Sequence, residues 1–103
     1  MGDRISISFV RGDEESVALF SHWGGEAFAE IAKDYVLALK GEISKLEHPT
    51  SEPLYRLEPS TVMADFIRHI TIGMPRVTSD IYLGKDEQDG DNGDNGHYRI
   101  VLD

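Results

Sequence analysis

The chain contains no cysteine, which excludes disulfide staples, thiolate zinc sites and a thiol nucleophile. No apolar run approaches the roughly 20 residues needed to span a bilayer, so no membrane segment is expected. Basic residues are scarce, 10 against 19 acidic ones, for a formal charge of −9. Direct binding to nucleic acid or to an anionic membrane surface needs a basic patch, and this balance argues against both. The opening residues Met1-Gly2-Asp3-Arg4-Ile5 lack the basic patch and apolar stretch of a secretory signal. The expected location is therefore the cytoplasm.

What is present suits one globular domain over residues 1–103. About 40% of the residues are hydrophobic, and a chain of this length buries roughly two-thirds of its unfolded surface around one core. The acidic excess favours solubility and permits a protein partner with a basic surface.

Ile5, Ile7 and Phe9 alternate with Arg4, Ser6 and Ser8, the period-two pattern of a half-buried strand. A polar turn, Arg11 to Glu15, leads into Ser16-Val17-Ala18-Leu19-Phe20, which reads as a more central strand paired with the first in a hairpin. Phe28, Ile31, Ala32, Tyr35, Val36 and Leu39 then recur at helical spacing. That helix ends at Gly41 or continues to about Leu46 with the glycine inside it. His48 to Pro59 is a proline-rich loop whose Leu54, Tyr55 and Leu57 are apolar enough to pack on the core. A second helix is expected from Ser60 as N-cap, with Met63, Phe66, Ile67 and Ile70 as its stripe and Gly73 and Pro75 as its stop. Strands over about Val77–Leu83 and His97–Leu102 close the chain. Residues 84–96 between them contain no apolar side chain and read as a long, mobile, acidic hairpin loop. The order ββαα-ββ predicts an α+β fold, a four-stranded antiparallel sheet with both helices on one face.

His22-Trp23-Gly24-Gly25 is the most distinctive segment, set where a strand turns into a helix. Two glycines permit positive φ and close backbone approach, and free N–H groups at a helix start attract anions. One reading is a site for an anion or nucleotide, with Trp23 as a stacking wall and His22 as the titratable group. The plain alternative is a strand-to-helix turn with Trp23 closing the end of the core. The acidic residues Glu26 and Glu30 near the helix start disfavour a phosphate, and no phosphate-loop pattern occurs. Val17 to Gly25 resembles a group of small uncharacterised proteins of phages and prokaryotes, in which a strand runs into a His-Trp-x-Gly signature and then a helix. Met63 to Ile70 is a weaker match. The resemblance implies the fold and carries no catalytic residue, because the group has no established activity.

Other constellations point to weaker chemistry. Asp89, Asp91 and Asp94 lie in a Gly/Asp/Asn repeat with hard oxygen ligands for calcium. Gly93 stands where an EF-hand needs an oxygen, so the alternative is a solvated acidic loop. His22, His48, His69 and His97 show no metal-binding spacing, although Asp65 and His69 could face each other on the second helix. Ser21 and His22 are neighbours on a strand and point to opposite faces, which defeats proton transfer between them. Nothing calls for a cofactor. Glu26, Glu30 and Asp34 recur every four residues and form an acidic stripe. With Asp13, Glu14, Glu15 and the acidic loop it could make one negative surface. The leading expectation is a binding module for a basic protein partner, rather than an enzyme. In a phage-type protein that partner would be a nucleic-acid-binding protein whose site is occupied. An exposed final strand edge leaves a homodimer open.

Overall fold

A computed structural model describes residues 2–48, 50–76 and 80–103. Residues 77–79, the start of the expected strand Val77–Leu83, lie outside the described residues, as do Met1 and Pro49. Among the described residues, no helix is long and apolar enough to cross a membrane.

The first strand, β1 (Ile5–Arg11), is the centre of the sheet. Ile5, Ile7 and Phe9 are fully buried, and Ser6 and Ser8 on the opposite face are only 0% and 1% exposed. The serines looked solvent-facing in sequence, yet both faces of β1 are covered. The expected hairpin forms through a turn at Gly12, whose φ of 60° suits glycine. Strands β2 (Glu14–Glu15) and β3 (Ala18–Ser21) both run antiparallel to β1. Their register changes from Val10↔Glu15 to Ile7↔Leu19, which leaves one extra residue at Ser16–Val17, a β-bulge. Ser16 holds the bulge shut. Its N–H donates to the Phe9 carbonyl at 2.9 Å, and its hydroxyl accepts the Phe9 N–H at 3.0 Å.

Strand β4 (Ile81–Gly84) adds antiparallel to β3. The α+β class and an antiparallel sheet are as expected, and its strands run in the order β2-β1-β3-β4. The last strand, β5 (His97–Val101), corrects the expected terminal hairpin. It pairs with β1, not β4, and in parallel, from Ser6↔His97 to Val10↔Val101. Two antiparallel steps, β1 to β3 to β4, make β4 and β5 point the same way. A parallel connection needs about a dozen residues where a hairpin needs two to five. The 12 residues 85–96 between β4 and β5 meet that length and return the chain across the sheet.

Helix α1 (Gly25–Ser44) and helix α2 (Pro59–Ile70) pack on the face of Ile5, Ile7 and Phe9. Helix α1 continues through Gly41, the longer of the two expected ends. Helix α2 begins one residue before the expected cap Ser60: Glu58 is extended and Pro59 takes the first helical position, where its missing N–H costs nothing. Phe66 lies at the centre of the core, with its ring 5.5 Å from Phe9, 6.0 Å from Phe28 and 5.3 Å from Tyr35. Leu54, Tyr55 and Leu57 pack against this core as expected. The helices fill one face, so the returning residues 85–96 cross the other.

Candidate functional site

The His22–Gly25 turn is built differently from an anion cradle. The Trp23 N–H donates to Asp80 Oδ1 at 3.0 Å, the Gly24 N–H to Ser21 Oγ at 2.9 Å, and the Gly25 N–H to the Asp3 carbonyl at 2.9 Å. The same Asp80 accepts the Ser21 hydroxyl at 3.0 Å. Three donors that a phosphate would need are thus turned onto the chain's own oxygens. Gly25 has φ 59° and lies against the Asp3 carboxylate, with no space for a β-carbon. The glycine pair lets the side chains of Ser21, Phe28 and Asp3 close onto the backbone. Trp23 is 63% exposed, which corrects the reading of it as a plug at the end of the core. His22 packs beside Tyr82, with ring centroids 5.1 Å apart.

The second sheet face carries a polar half and an aromatic half under residues 85–96. In the aromatic half Phe20 and Tyr82 stack at 4.9 Å, nearly parallel. Gly90 lies on them: a β-carbon there would meet both rings at 2.8 Å. In the polar half the His97 ring, its side chain 3% exposed, bridges Ser6 Oγ (2.6 Å from Nδ1) and Ser8 Oγ (3.0 Å from Nε2). Ser8 donates to Glu15 Oε2 at 2.6 Å. Arg99 approaches Glu15 at 3.3 Å and Glu87 at 2.8 Å. The Asn92 amide donates to Ser6 Oγ at 2.8 Å. Burial lowers the His97 pKa against the opposing pull of Glu87 and Glu15. The Ser8 hydroxyl, then Arg99, holds Glu15 below the usual carboxylate range. Ser6 and His97 have the separation of a nucleophile and its base. Ser6 is fully enclosed, though, and no substrate atom reaches its hydroxyl.

The segment expected to project into solvent is therefore fastened along its length. Arg4 reaches Asp91 at 2.5 Å and Asp94 at 3.0 Å, and Asn95 donates to Asp3 at 2.7 Å. The expectation missed this because polar residues can pack through hydrogen bonds onto a polar sheet face. The arrangement also bears on the calcium reading. The Arg4 guanidinium lies between the carboxylates of Asp91 and Asp94, and Asp89 accepts the Lys85 N–H at 2.8 Å. Among the described residues, no group of three or more His, Asp or Glu side chains is arranged to hold a metal ion.

Glu26, Glu30 and Asp34 are all exposed on α1, as the spacing requires. They lie on the helical side of the sheet, whereas residues 85–96 lie on the other, so the two acidic regions do not join into one surface. Glu30 has Lys33 at 3.4 Å. Below the stripe, α1, α2 and the connection between them enclose an open cleft of about 400 Å³. Its apolar lining is Ile31, Ala38, Leu39, Leu54 and Tyr55, and its polar lining is Asp34, Glu42, Asp65, Arg68 and His69. Ile31 remains 46% exposed although it belongs to the helix's apolar stripe. One wall is locked: the Tyr35 hydroxyl donates to Asp65 Oδ2 at 2.6 Å, and Arg68 Nε donates to Asp65 Oδ1 at 2.9 Å. Burial and the Asp65 carboxylate push the Tyr35 phenol well up, while Arg68 and then Tyr35 draw Asp65 down. Asp65 and His69, which share a helix face by spacing, are not bonded to each other: Asp65 is taken by Tyr35 and Arg68, and His69 packs on the Tyr35 ring at 5.3 Å. Among the described residues the carboxylates of Asp34 and Glu42 form no hydrogen bond or ion pair.

Of the polar residues singled out in sequence, Asp34, Asp65 and His69 line this cleft. Its remaining members were missed because they come from three separated segments. The available signal was the apolar character of Leu54 and Tyr55, which fixes where the connection must lie. No family model, no curated protein and no solved structure matches the chain.

Proposed function

We propose that the protein is an interaction module that binds a protein partner through the outer side of α1, with the partner presenting a basic surface. The observation that carries this reading is the pairing of an open, partly apolar cleft with two unsatisfied carboxylates, Asp34 and Glu42, in its lining. Six carboxylates elsewhere in the molecule are paired with arginines, whereas the side chains of Asp34 and Glu42 have no such pairing among the described residues. Glu30 and Glu26 continue the negative stripe from Asp34 toward the start of the helix. Complementary charge at an interface raises association rates and makes them salt-dependent.

The test is affinity capture from cell lysate at low and high salt, compared between the native protein and a triple charge reversal, Glu26→Lys, Glu30→Lys and Asp34→Lys. A stoichiometric partner retained at low salt, released at high salt and lost from the variant is the expected result. A partner retained equally by the variant would overturn the reading. So would the absence of any salt-sensitive partner.

A further inference from the structure

The cleft between the helices restricts the shape of what it can hold. Its walls are two α-helices and a loop, so it offers no free strand edge to pair with. An occupant must satisfy its own backbone hydrogen bonds, which selects a helix over an extended peptide. Asp34 and Glu42 are eight residues apart on α1, a rise of about 12 Å at 1.5 Å per residue. Ala38 and Leu39 lie between them along the helix, Ile31 lies about one turn before Asp34, and all three line the cleft.

We infer that the α1–α2 cleft receives an amphipathic basic helix of the partner, lying along α1. Two arginine or lysine side chains seven or eight residues apart meet Asp34 and Glu42, and one apolar side chain between them enters the cleft beside Leu54 and Tyr55. This rests on the reading of the protein as a binder of basic partners and adds the seat and the form of the recognised segment. Tyr55 supplies an aromatic face in the same lining, which suits the alkyl and guanidinium parts of arginine. Arg68, the one permanent cation in the lining, is held by Asp65 at 2.9 Å and so does not repel the incoming charges freely.

Three synthetic helical probes test it. The first carries arginines at i and i+8 with leucine at i+4. The second has the same composition with the arginines moved to the face opposite the leucine. The third replaces both arginines by glutamate. Binding is read by fluorescence anisotropy, and its location by amide chemical-shift changes. The expected result is tightest binding of the first probe, with shifts centred on Ile31, Ala38, Leu54 and Tyr55. Glu42→Lys and Ile31→Ala should each weaken it by roughly tenfold, about 1.4 kcal/mol. Both positions are solvent-facing, and an unchanged spectrum elsewhere shows that the fold is intact. If both basic probes bind equally, with shifts spread over Glu26 and Glu30, the cleft is not the seat, while the acidic-surface reading survives. If neither basic probe binds, or the glutamate probe binds as well, this inference fails. A salt-sensitive partner captured from lysate would still leave the broader reading standing in that case.

Discussion

The polar chain through His97 has a direction, and the direction can be measured. Glu15, held below its usual range by the Ser8 bond, is ionised at neutral pH and only accepts. The Ser8 proton therefore goes to Glu15, at 2.6 Å. Ser8 Oγ must then accept from His97 Nε2, at 3.0 Å. A neutral ring with its proton on Nε2 leaves Nδ1 as acceptor, so Ser6 donates to it at 2.6 Å and itself accepts from Asn92. The sequence Asn92→Ser6→His97→Ser8→Glu15 runs one way, and each bond polarises the next. Ser8→Ala removes the acceptor of the Nε2–H in a site where the ring is 3% exposed and the next acceptor, Glu15 Oε2, is 3.7 Å away, beyond hydrogen-bond distance. An unsatisfied buried donor costs about 1–3 kcal/mol, and about 2 kcal/mol corresponds to roughly 8–16 °C of melting temperature at this chain length. Ser44→Ala, which removes an exposed hydroxyl bonded to the Gly41 carbonyl, is the control and should stay within about 0.5 kcal/mol. Calorimetry gives the melting shift, and ring ¹⁵N spectra give the tautomer.

The same chain fixes a pH dependence. Burial, opposed by Glu87 and Glu15 and assisted by Arg99, lowers the folded pKa of His97 from 6.5. The unfolded chain then binds the proton more readily than the folded one, so stability rises with pH in the interval between the two values. The contribution is complete above pH 6.5 and is lost as pH falls through the lowered folded value. A ring protonated on Nδ1 at pH 7, or a Ser8→Ala variant melting within about 2 °C of the native protein, would refute the assigned direction.

Gly41 lies inside α1 with nothing within 4 Å of an added β-carbon, so Gly41→Ala should stabilise by about 0.5–1 kcal/mol in urea unfolding. Gly90→Ala should destabilise by about 1–3 kcal/mol, because its β-carbon meets the Phe20 and Tyr82 rings; hydrogen exchange should quicken at the Asp91 amide, which donates to the Tyr82 hydroxyl. Phe66→Ala removes the ring shared by Phe9, Phe28 and Tyr35 and should cost about 3–5 kcal/mol by the same unfolding measurement.

The elements of this fold were legible because each depends on local pattern. The alternation of Ile5, Ile7 and Phe9, the helical spacing from Phe28 to Leu39 and the stop at Gly73 all report on one segment at a time. Strand pairing does not. Two features of the sequence nevertheless bore on β5. The residues separating it from β4 are too many for a tight hairpin and enough for a parallel return. Ser6, Ser8 and His97 are small or polar at the positions where a second layer had to be hydrogen-bonded. Reading serine as solvent-facing assumed that only apolar cover can bury a sheet face. The cleft was the least legible part, since it depends on how α1, α2 and their connection meet.

The distribution of charge separates carboxylates that hold the fold from those that do not. Glu15, Glu58, Asp65, Glu87, Asp91 and Asp94 are each paired with an arginine, in a chain with few cations. Glu26, Asp34 and Glu42 have no such partner among the described residues, and Glu26 and Asp34 flank Glu30 at four-residue spacing on α1, where like charges cost a few tenths of a kcal/mol. Folding gains little from that stripe beyond the favourable place of Glu26 in the first turn of α1. Asp65→Ala, which removes an acceptor for both Tyr35 and Arg68, should therefore cost about 1.5–3 kcal/mol. Glu26→Gln combined with Asp34→Asn should leave stability unchanged within about 0.5 kcal/mol or raise it slightly. The two variants are compared by urea unfolding and by retention of the salt-sensitive partner. Loss of the partner from the stable double variant would separate the function of α1's acidic side from its fold. A large loss of stability in that variant would instead make those carboxylates structural and remove the main support for a charged docking face.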